Sequence, residues 1–327
     1  MQPDTHAPLD QAILMTLLYA DVFSFPMTAL EIHHFLIGRP ASLEEIELAL
    51  ATPSAWLAQY IEVGTLNQQR VYAIIKSESQ NKAIFEKRQQ RDLASTELWP
   101  KARRYGMLLG HMPFVRMVAI TGALAVRNAG SPQDDLDYLL VVKHGRVWLA
   151  RLGAVVMVKA CKVLGVTLCP NYVLAETALA QDRLDLFMAH ELTQMIPLTG
   201  QTVYQKMRLC NDWADVMLPN AQTPFYIEKD ATPRRIGRWV QIVLELALSG
   251  PVGNWLEDWE RRRKIRKFHN QATQSTDTVL DAEHVKGHFF DYGSRTLQRF
   301  QKSLETYDLA RLYEMEQTGE VFSPAAD

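Results

Sequence analysis

The sequence predicts an α+β fold in which a small mixed sheet with flanking helices lies between an N-terminal helix-rich unit and a C-terminal helical region. In the first part of the chain, three helix starts are followed by two extended runs. In the middle, short runs rich in β-branched residues alternate with helical stretches, which is typical of an α/β core. In the last part, apolar residues recur mostly at helical spacing. These changes divide the chain into an N-terminal unit at residues 1–77, a linking helix at 78–112, the α/β core at 113–182 and a helical region at 183–327.

The composition limits the class of protein. The chain has 327 residues, of which 47% are hydrophobic, and this is enough for two or three packed domains. A net charge of -2 provides no global attraction to nucleic acid or anionic membranes. The apolar stretch Leu149–Leu168 is interrupted by charges, and Ile236–Leu248 is too short to span a membrane. Because the N-terminus lacks a secretory pattern and the three cysteines are scattered, we expect a cytoplasmic protein with no membrane contact.

The N-terminal unit is expected to begin with three helices. Asp10 can cap the first, whose apolar residues lie between Ile13 and Leu18. The next two start at Thr28 and Ser42, and each has a glutamate three residues later. This is the capping-box pattern, in which the two side chains satisfy backbone N–H groups at the start of a helix.

Two extended runs, Tyr60–Val63 and Arg70–Ile75, follow these helices and are joined by residues 64–69. Three helices followed by a hairpin is the order of a winged helix. The third helix, however, carries Glu44, Glu45 and Glu47, which would repel DNA phosphates. DNA binding is therefore not expected, and a role in protein contact or in packing is favoured.

The remaining elements follow from apolar patterning and breakers. The linking helix is expected to reach Trp99, where Pro100 disturbs or restarts it. The core is predicted to contain strands at Val115–Thr121, Leu136–Val142 and Val166–Leu174, with a long helix at Arg146–Leu164. Further helices are predicted at Leu184–Ile196, which Pro197 ends, and at Val203–Met217, Arg234–Leu248, Asn254–His269 and Ala282–Leu304.

Two carboxylates, Asp135 and Asp137, are placed on the second core strand. Side chains two residues apart on a strand point to the same side, so these carboxylates would lie next to each other. Two adjacent carboxylates repel each other unless a cation lies between them. Hard ions such as Mg²⁺ or Mn²⁺ prefer oxygen ligands, and they can bridge the oxygens of a nucleoside triphosphate. The pair therefore predicts a metal and nucleotide site.

A glycine turn, Thr121-Gly122-Ala123, follows the first core strand. Glycine allows the backbone to approach a ligand closely. A helix over residues 123–128 would direct backbone N–H groups at a phosphate, and Asn128 at its end either faces the phosphates or caps the helix.

Together these residues carry a family resemblance. Thr121-Gly122-Ala123, followed after a short gap by Asp135-Leu136-Asp137, resembles the signature of the DNA polymerase β-like nucleotidyltransferase superfamily over about residues 115–175. The wider chain is similar to uncharacterised bacterial nucleotidyltransferase-domain proteins with an N-terminal winged-helix-like region. The pieces that carry this wider similarity are residues 25–33, 99–105 and 169–172. The resemblance implies a nucleotidyltransferase-like core, Asp135 and Asp137 as catalytic metal ligands, and nucleotide contacts from the glycine turn.

Two positions depart from the pattern of the superfamily. A serine usually follows the glycine and helps to hold the triphosphate, but Ala123 stands here. A third carboxylate on a later strand often orients or deprotonates the acceptor. The corresponding position here is Asn171, which can coordinate a metal but is a poor general base. Glu176 lies just beyond and could substitute if the strand ends early.

Another motif has part of the pattern of a metal site. His190-Glu191-Leu192-Thr193-Gln194 begins like a zinc-protease helix but lacks the second histidine. A structural or substrate-facing helix is favoured over a metalloprotease.

Three functions therefore remain open. The first is a nucleotidyltransferase that transfers a nucleoside monophosphate from an NTP to an unidentified hydroxyl acceptor, which can be a small molecule, a protein or RNA. The second is a catalytically degenerate nucleotide-binding or scaffold module, which Ala123 and Asn171 favour. The third, less favoured, is a winged-helix transcription regulator with the α/β unit as its sensor.

Overall fold

The computed structural model describes residues 8–228, 235–272, 279–286 and 292–318. These residues form helices and two sheets, so the predicted α+β class is confirmed. None of the described helices is both long enough and apolar enough to cross a membrane.

The N-terminal part forms four helices around a small antiparallel sheet with strand order β1-β3-β2. Its elements are α1 (Leu9–Val22), β1 (Met27–Thr28), α2 (Ala29–His34), α3 (Leu43–Ala51), α4 (Ala55–Ala58), β2 (Ile61–Leu66) and β3 (Gln69–Ile74). Both predicted capping boxes are confirmed: Thr28 and Ser42 each accept a hydrogen bond from the glutamate N–H three residues on, and that glutamate accepts from the cap N–H.

Two details of this part differ from the predictions. Asp10 does not cap α1, because it lies inside the first turn and Pro8 occupies the cap position. The hairpin is also tighter than predicted, since both strands extend to a two-residue turn. Asn67 and Gln68 have φ values of 48° and 67°, the left-handed conformation that two-residue hairpin turns require.

The linking helix, α5 (Glu78–Gly110), is continuous through Pro100. The predicted restart of the helix at Pro100 is therefore wrong. Proline has no backbone N–H, so the helix loses one hydrogen bond at Pro100. Residues on both sides of Pro100 nevertheless pack into a hydrophobic core, which stabilises the helix there. Leu98 and Ala102 are buried beside the larger sheet, which holds the two halves in line.

The larger sheet has six strands in the order β7-β4-β5-β6-β9-β8, and it is mixed because only β5 and β6 pair in parallel. The elements of this part are β4 (Val115–Ile120), α6 (Gly122–Ala125), β5 (Leu136–Val142), α7 (Val147–Val163), β6 (Leu168–Ala175), α8 (Leu186–Gln194), β7 (Ile196–Thr199), α9 (Gln201–Leu209), α10 (Trp213–Met217), α11 (Arg235–Leu248), α12 (Pro251–Ala272), β8 (Val279–Leu280), β9 (His284–Lys286), α13 (Tyr292–Thr306) and α14 (Ala310–Thr318). The predicted core strands and the long helix between them are confirmed to within two residues.

Three strands of this sheet lie in the segment 183–327, for which the sequence predicts helices. Strand β7 follows α8 directly, and Pro197 is accommodated there because β7 is an edge strand with one partner. The predicted helix at Ala282–Leu304 is wrong in its first part, which contains β9, and the predicted helix at Val203–Met217 is two helices, α9 and α10.

Each face of the larger sheet packs into a different hydrophobic core. Leu139 and Val141 face one core, which contains the buried side of α1 and also α8 and α13. Tyr138 and Leu140 face the other core, which contains α5 and α7. Because side chains alternate along a strand, the odd-numbered Asp137 is on the side of α1 and α8.

Candidate functional site

The two aspartates of the predicted pair occupy different environments. Asp137 is the second residue of β5 and is partly buried, whereas Asp135 lies just before the strand and is exposed. The Asp135 carboxylate lies 3.9 Å from the Cys169 thiol. The prediction that both aspartates are on the strand is therefore wrong for Asp135. Their neighbour Asp134 accepts hydrogen bonds from Gly130 and Ser131 and closes the turn that precedes the strand.

Asn171 holds the Asp137 carboxylate from the neighbouring strand. Its side-chain amide donates a hydrogen bond of 2.5 Å to Asp137 Oδ1. The contact depends on an irregularity in the β5–β6 pairing: Tyr138 pairs with Pro170 and Leu139 with Tyr172, so Asn171 is the extra residue. Glu176, the alternative third carboxylate, lies at the far end of β6, where its N–H bonds to Val142. The structure thus places Asn171, and not Glu176, beside Asp137.

The turn at Gly122 closes over the same carboxylate. Gly122 has a φ of +66°, and a Cβ at this position would lie 2.6 Å from Asp137 Oδ2. Any larger side chain would therefore displace the carboxylate, in addition to the strain of a left-handed conformation. The backbone of the turn is also tied to β5 because the Thr121 N–H bonds to the Asp137 carbonyl.

The other residues predicted around the glycine turn lie at two places. Thr121 and Ala123 are at the start of α6, and Asn128 is beyond its end. Thr121 precedes α6 without a side-chain capping bond, and Ala123 is exposed on it. The helix α6 ends at Ala125, earlier than predicted. Asn128 is buried, accepts a hydrogen bond from Arg91 and donates one to the Phe23 carbonyl, so its side chain ties the core to α1 and α5.

A cavity of about 430 Å³ lies beside Asp137, between α1, the Gly122 turn, the sheet and α8. Most of its wall is apolar. Its polar lining groups are Thr16, Thr121, Asn128, Asp137, Asn171, Gln181, His190, Glu191, Gln194 and Thr296. Asp135 does not line it. Among the described residues, no lysine or arginine lines the cavity either, so its charged groups are carboxylates.

Burial raises the pKa of the Asp137 carboxyl to about 7, and the nearby carboxylates of Glu191, Asp135 and Asp134 raise it further. The hydrogen bond from Asn171 acts in the opposite direction. Close to neutral pH the group is therefore divided between its acid and carboxylate forms. A cation bound at this end of the cavity would favour the ionised form.

Glu191 is the carboxylate that sequence reasoning missed. It lies on α8, which packs against α6 and lines the cavity, and its charge acts on Asp137. Its neighbour His190 is buried and stacks on Tyr19 with a centroid distance of 4.1 Å. Burial lowers the pKa of His190 to about 3, which keeps the ring neutral. The signal that could have found Glu191 is the His-Glu pair that follows the apolar start of α8.

The oxygen atoms of Asp137, Asn171 and Glu191 are of the type that Mg²⁺ and Mn²⁺ prefer. Within the described ranges, no three His, Cys, Asp or Glu side chains are grouped so that they could hold a metal ion. Magnesium commonly binds one or two carboxylates and completes its coordination with water and substrate phosphates. Asp137 and Glu191 are two carboxylates of this kind at the cavity.

No protein-family model, curated protein or solved structure matches the chain.

Proposed function

We propose that this protein is a nucleotidyltransferase that binds an NTP with Mg²⁺ or Mn²⁺ beside Asp137 and transfers the nucleoside monophosphate to a hydroxyl acceptor. The observation that carries the proposal is the placement of the Asp137 carboxylate, which Asn171 holds against the Gly122 turn at one end of a cavity. The proposed fold of this part is a nucleotidyltransferase-like core. It is supported by the strand–glycine turn–strand unit of β4 and β5 and by the parallel β5–β6 pair.

The proposed reaction is a displacement at the α-phosphorus of the nucleotide. A bond forms between the acceptor oxygen and this phosphorus, the bond to the β-phosphate oxygen breaks, and pyrophosphate leaves. The proton of the acceptor hydroxyl would pass to a carboxylate other than the metal ligand Asp137, and Glu191 lines the same cavity. The bound divalent ion would neutralise negative charge on the phosphates. The role of the Gly122 turn is to let the backbone approach the nucleotide closely.

The test is calorimetric titration of the full-length protein with each of the four NTPs in the presence of Mg²⁺. We expect binding that is lost in the Asp135→Asn, Asp137→Asn double variant. The matched control is Glu176→Gln, which removes a carboxylate from the far end of β6 and should bind like the wild type. Equal binding by the wild type and the double variant would overturn the metal-site assignment.

A second pair of variants tests the glycine turn. Gly122→Ala should weaken binding of the Mg²⁺–NTP complex by at least about tenfold, because the added Cβ collides with the Asp137 carboxylate. Gly145→Ala is the control, since Gly145 has a similar φ of +69° but nothing lies within 4 Å of its Cβ position. Equal affinities of the two variants would show that the turn does not position Asp137 for the ligand.

One observation favours the second candidate function, a nucleotide-binding module without turnover. Only Asp137 of the predicted pair lines the cavity, and Ala123 offers no hydroxyl at its mouth. Incubation with labelled NTP and a cell lysate separates the two functions. Transfer of labelled monophosphate to any acceptor excludes the binding module, whereas nucleotide binding without transfer supports it.

We also propose that the N-terminal helices and hairpin form a winged-helix-like unit that contacts protein. Glu44 and Glu47 are exposed on α3, which is the helix that would approach DNA in a DNA-binding winged helix. We expect no gel shift of duplex DNA by the full-length protein at low salt. A shift that weakens with salt would favour the transcription regulator instead.

A further inference from the structure

We propose that the hairpin of α11 and α12 binds the surface of an anionic membrane and lies along that surface without crossing it. The hairpin presents a face of exposed aliphatic and tryptophan side chains that continues into exposed arginines. The inference does not depend on the proposed nucleotidyl transfer, because none of the residues that carry it lines the cavity beside Asp137.

The helix α11 packs on the body of the protein with its polar side. Gln241 donates hydrogen bonds to two main-chain carbonyls at or just before the start of β4. Glu245 accepts from the Phe114 N–H and forms a 2.9 Å ion pair with Arg116. On the same side, Gly237 leaves no room for a Cβ against a neighbouring ring. Because rotation of the helix would leave these polar groups without partners, the contacts fix which side of α11 faces outwards.

The outward side of α11 is apolar. Trp239, Val243 and Leu246 recur at helical spacing, so they share one side of the helix, opposite Gln241 and Glu245. Their exposed fractions are 69%, 59% and 73%. The other exposed apolar residues of this helix include Val240, Ile242 and Leu244. A surface helix of a globular protein normally buries its apolar stripe, so an exposed one of this size marks an interaction surface.

The helix α12 is oriented in the same way. Glu257 and Glu260 are buried on its inner side, where Glu257 accepts hydrogen bonds from two N–H groups in the first turn of α7. The third carboxylate of α12, Asp258, is paired with Arg261. The exposed residues of its outer side, again at helical spacing, are Trp255, Trp259, Arg262 and Arg266. The outer side of the hairpin is therefore apolar in one part and positively charged in the next.

This combination fits an anionic lipid surface better than other partners. Tryptophan rings favour the level of the lipid headgroups, aliphatic side chains enter the acyl boundary, and arginines attract anionic headgroups. Nucleic acid would pair with the arginines but leave the aliphatic side of α11 in water. A second copy of this chain in a symmetrical contact would cover the apolar side but bring a second set of arginines to the first.

The contact depends on this local surface, because a net charge of -2 provides no attraction from the chain as a whole. It is a contact along the membrane, since no described helix is both long and apolar enough to cross one. Helices with a tryptophan-rich apolar side and basic residues bind membranes in this way.

The test is flotation of the full-length protein with two kinds of vesicle. One kind is phosphatidylcholine alone, and the other is an equal mixture of phosphatidylcholine and phosphatidylglycerol. We expect binding to the anionic vesicles to be at least about tenfold stronger, and to weaken as salt is added. No binding to anionic vesicles at low salt, or equal binding to both kinds, would overturn the proposal.

The apolar part of the contact is assigned by one pair of double variants. Trp239→Ser with Trp255→Ser removes two exposed rings and should weaken binding to anionic vesicles by at least about tenfold. The matched control is Leu48→Ser with Leu209→Ser, which removes side chains that are 67% and 76% exposed on α3 and α9. Equal binding by the two double variants would place the contact outside the hairpin.

The charged part is assigned by a second pair. Arg262→Gln with Arg266→Gln should abolish the preference for anionic vesicles. The control, Lys82→Gln with Lys87→Gln, changes the net charge equally at exposed positions of α5 and should keep the preference. A preference retained by the arginine variant would show that these arginines do not meet the headgroups, and would overturn the assignment of the surface.

Sedimentation equilibrium without vesicles distinguishes a lipid surface from a second copy of the chain. We expect the same mass for the wild type and for the Trp239→Ser, Trp255→Ser variant. Self-association that this variant abolishes, in a protein that does not bind vesicles, would assign the surface to a second copy and overturn the proposal.

Discussion

Asp137 is the residue of the cavity on which a hydrogen bond, a close backbone contact and several neighbouring charges act together. It accepts from one amide, faces one glycine and has three other carboxylates acting on it. Burial makes its charge dependent on pH near neutrality, whereas an exposed aspartate is ionised throughout this range. Nucleotide binding at this position should therefore be linked to the ionisation of one side chain.

This ionisation predicts a dependence of stability on pH. The pKa of Asp137 is about 7 in the folded protein, against an ordinary value of 3.8, so the folded protein holds the proton more strongly than the unfolded chain. The free energy of unfolding should consequently fall as the pH rises from about 4 to about 7, with a contribution from Asp137 on the order of 3 to 4 kcal/mol. Asp137→Asn cannot ionise and should lack this contribution.

The measurement is urea unfolding of the wild type and Asp137→Asn at pH 5 and pH 8. Titrating groups that do not interact with Asp137 contribute equally to both proteins, so the difference between the two free energies reports Asp137 together with its coupling to the nearby carboxylates. We expect the variant to gain stability relative to the wild type at pH 8. A difference that is the same at both pH values would show that the folded protein does not raise this pKa.

Comparison of single residues also shows which parts of the site can be predicted from the sequence alone. Asp137, Gly122 and the strands that carry them follow from short-range patterns, and so do the two capping boxes. The contact between Asn171 and Asp137 requires an irregular register between strands, which no local pattern specifies. Glu191 reaches the cavity only because α8 folds back onto α6, and this is a property of tertiary packing.

At the scale of elements, α5 joins the two parts of the protein through Arg88. The Arg88 side chain is 2% exposed, donates to the Pro26 and Arg127 carbonyls, and forms a 2.8 Å ion pair with Glu31. Its guanidinium also lies 4.1 Å from the centroid of the Phe25 ring. One side chain thus links α5 with the start of α2 and with the chain beyond α6.

Arg88→Met should destabilise the protein by about 3 to 5 kcal/mol, because it leaves the Glu31 carboxylate buried without its partner. Adding Glu31→Gln should restore a large part of this loss, since the amide oxygen can still cap α2 at Thr28 and no charge remains buried. Thermal and urea unfolding of the three variants measure the effect. A double variant no more stable than Arg88→Met would show that the lost backbone contacts, and not the unpaired charge, determine the cost.

Elements near the C-terminus were the hardest to foresee from sequence. The segments β7, β8 and β9 have two to four residues each, which is too short for a periodic pattern to distinguish a strand from a helix end. The strand conformation of β7 and β9 follows from pairing with β4 and β6, which lie far away in the sequence, and β8 is then paired with β9. The long periodic elements, α7 and β5, were predicted nearly to the residue because their own apolar patterns are sufficient.

At the scale of the whole molecule, the N-terminal unit shares one hydrophobic core with the larger sheet. The cluster that contains Ile13 and Leu17 of α1 also contains Met117 and Leu139 of the sheet, together with residues of α8 and α13. The cavity lies within this shared core. The four segments expected from the sequence are therefore joined in space more closely than their separate patterns suggest.

This shared core predicts that the N-terminal unit and the sheet unfold together. Met117 is fully buried, and its removal in Met117→Ala should cost about 2 to 5 kcal/mol. If the core is common, this loss should appear equally in α1 and in β4 and β5, although the substitution lies outside the N-terminal unit. Hydrogen exchange of the full-length protein at increasing urea concentration, measured by mass spectrometry on peptides from each element, gives a midpoint for each part. A common core would be contradicted if peptides from α1 kept the wild-type urea midpoint of unfolding while the midpoint of peptides from β4 fell. Such a result would also mean that the cavity can open without unfolding of the sheet, because the wall formed by α1 would then be able to separate from it.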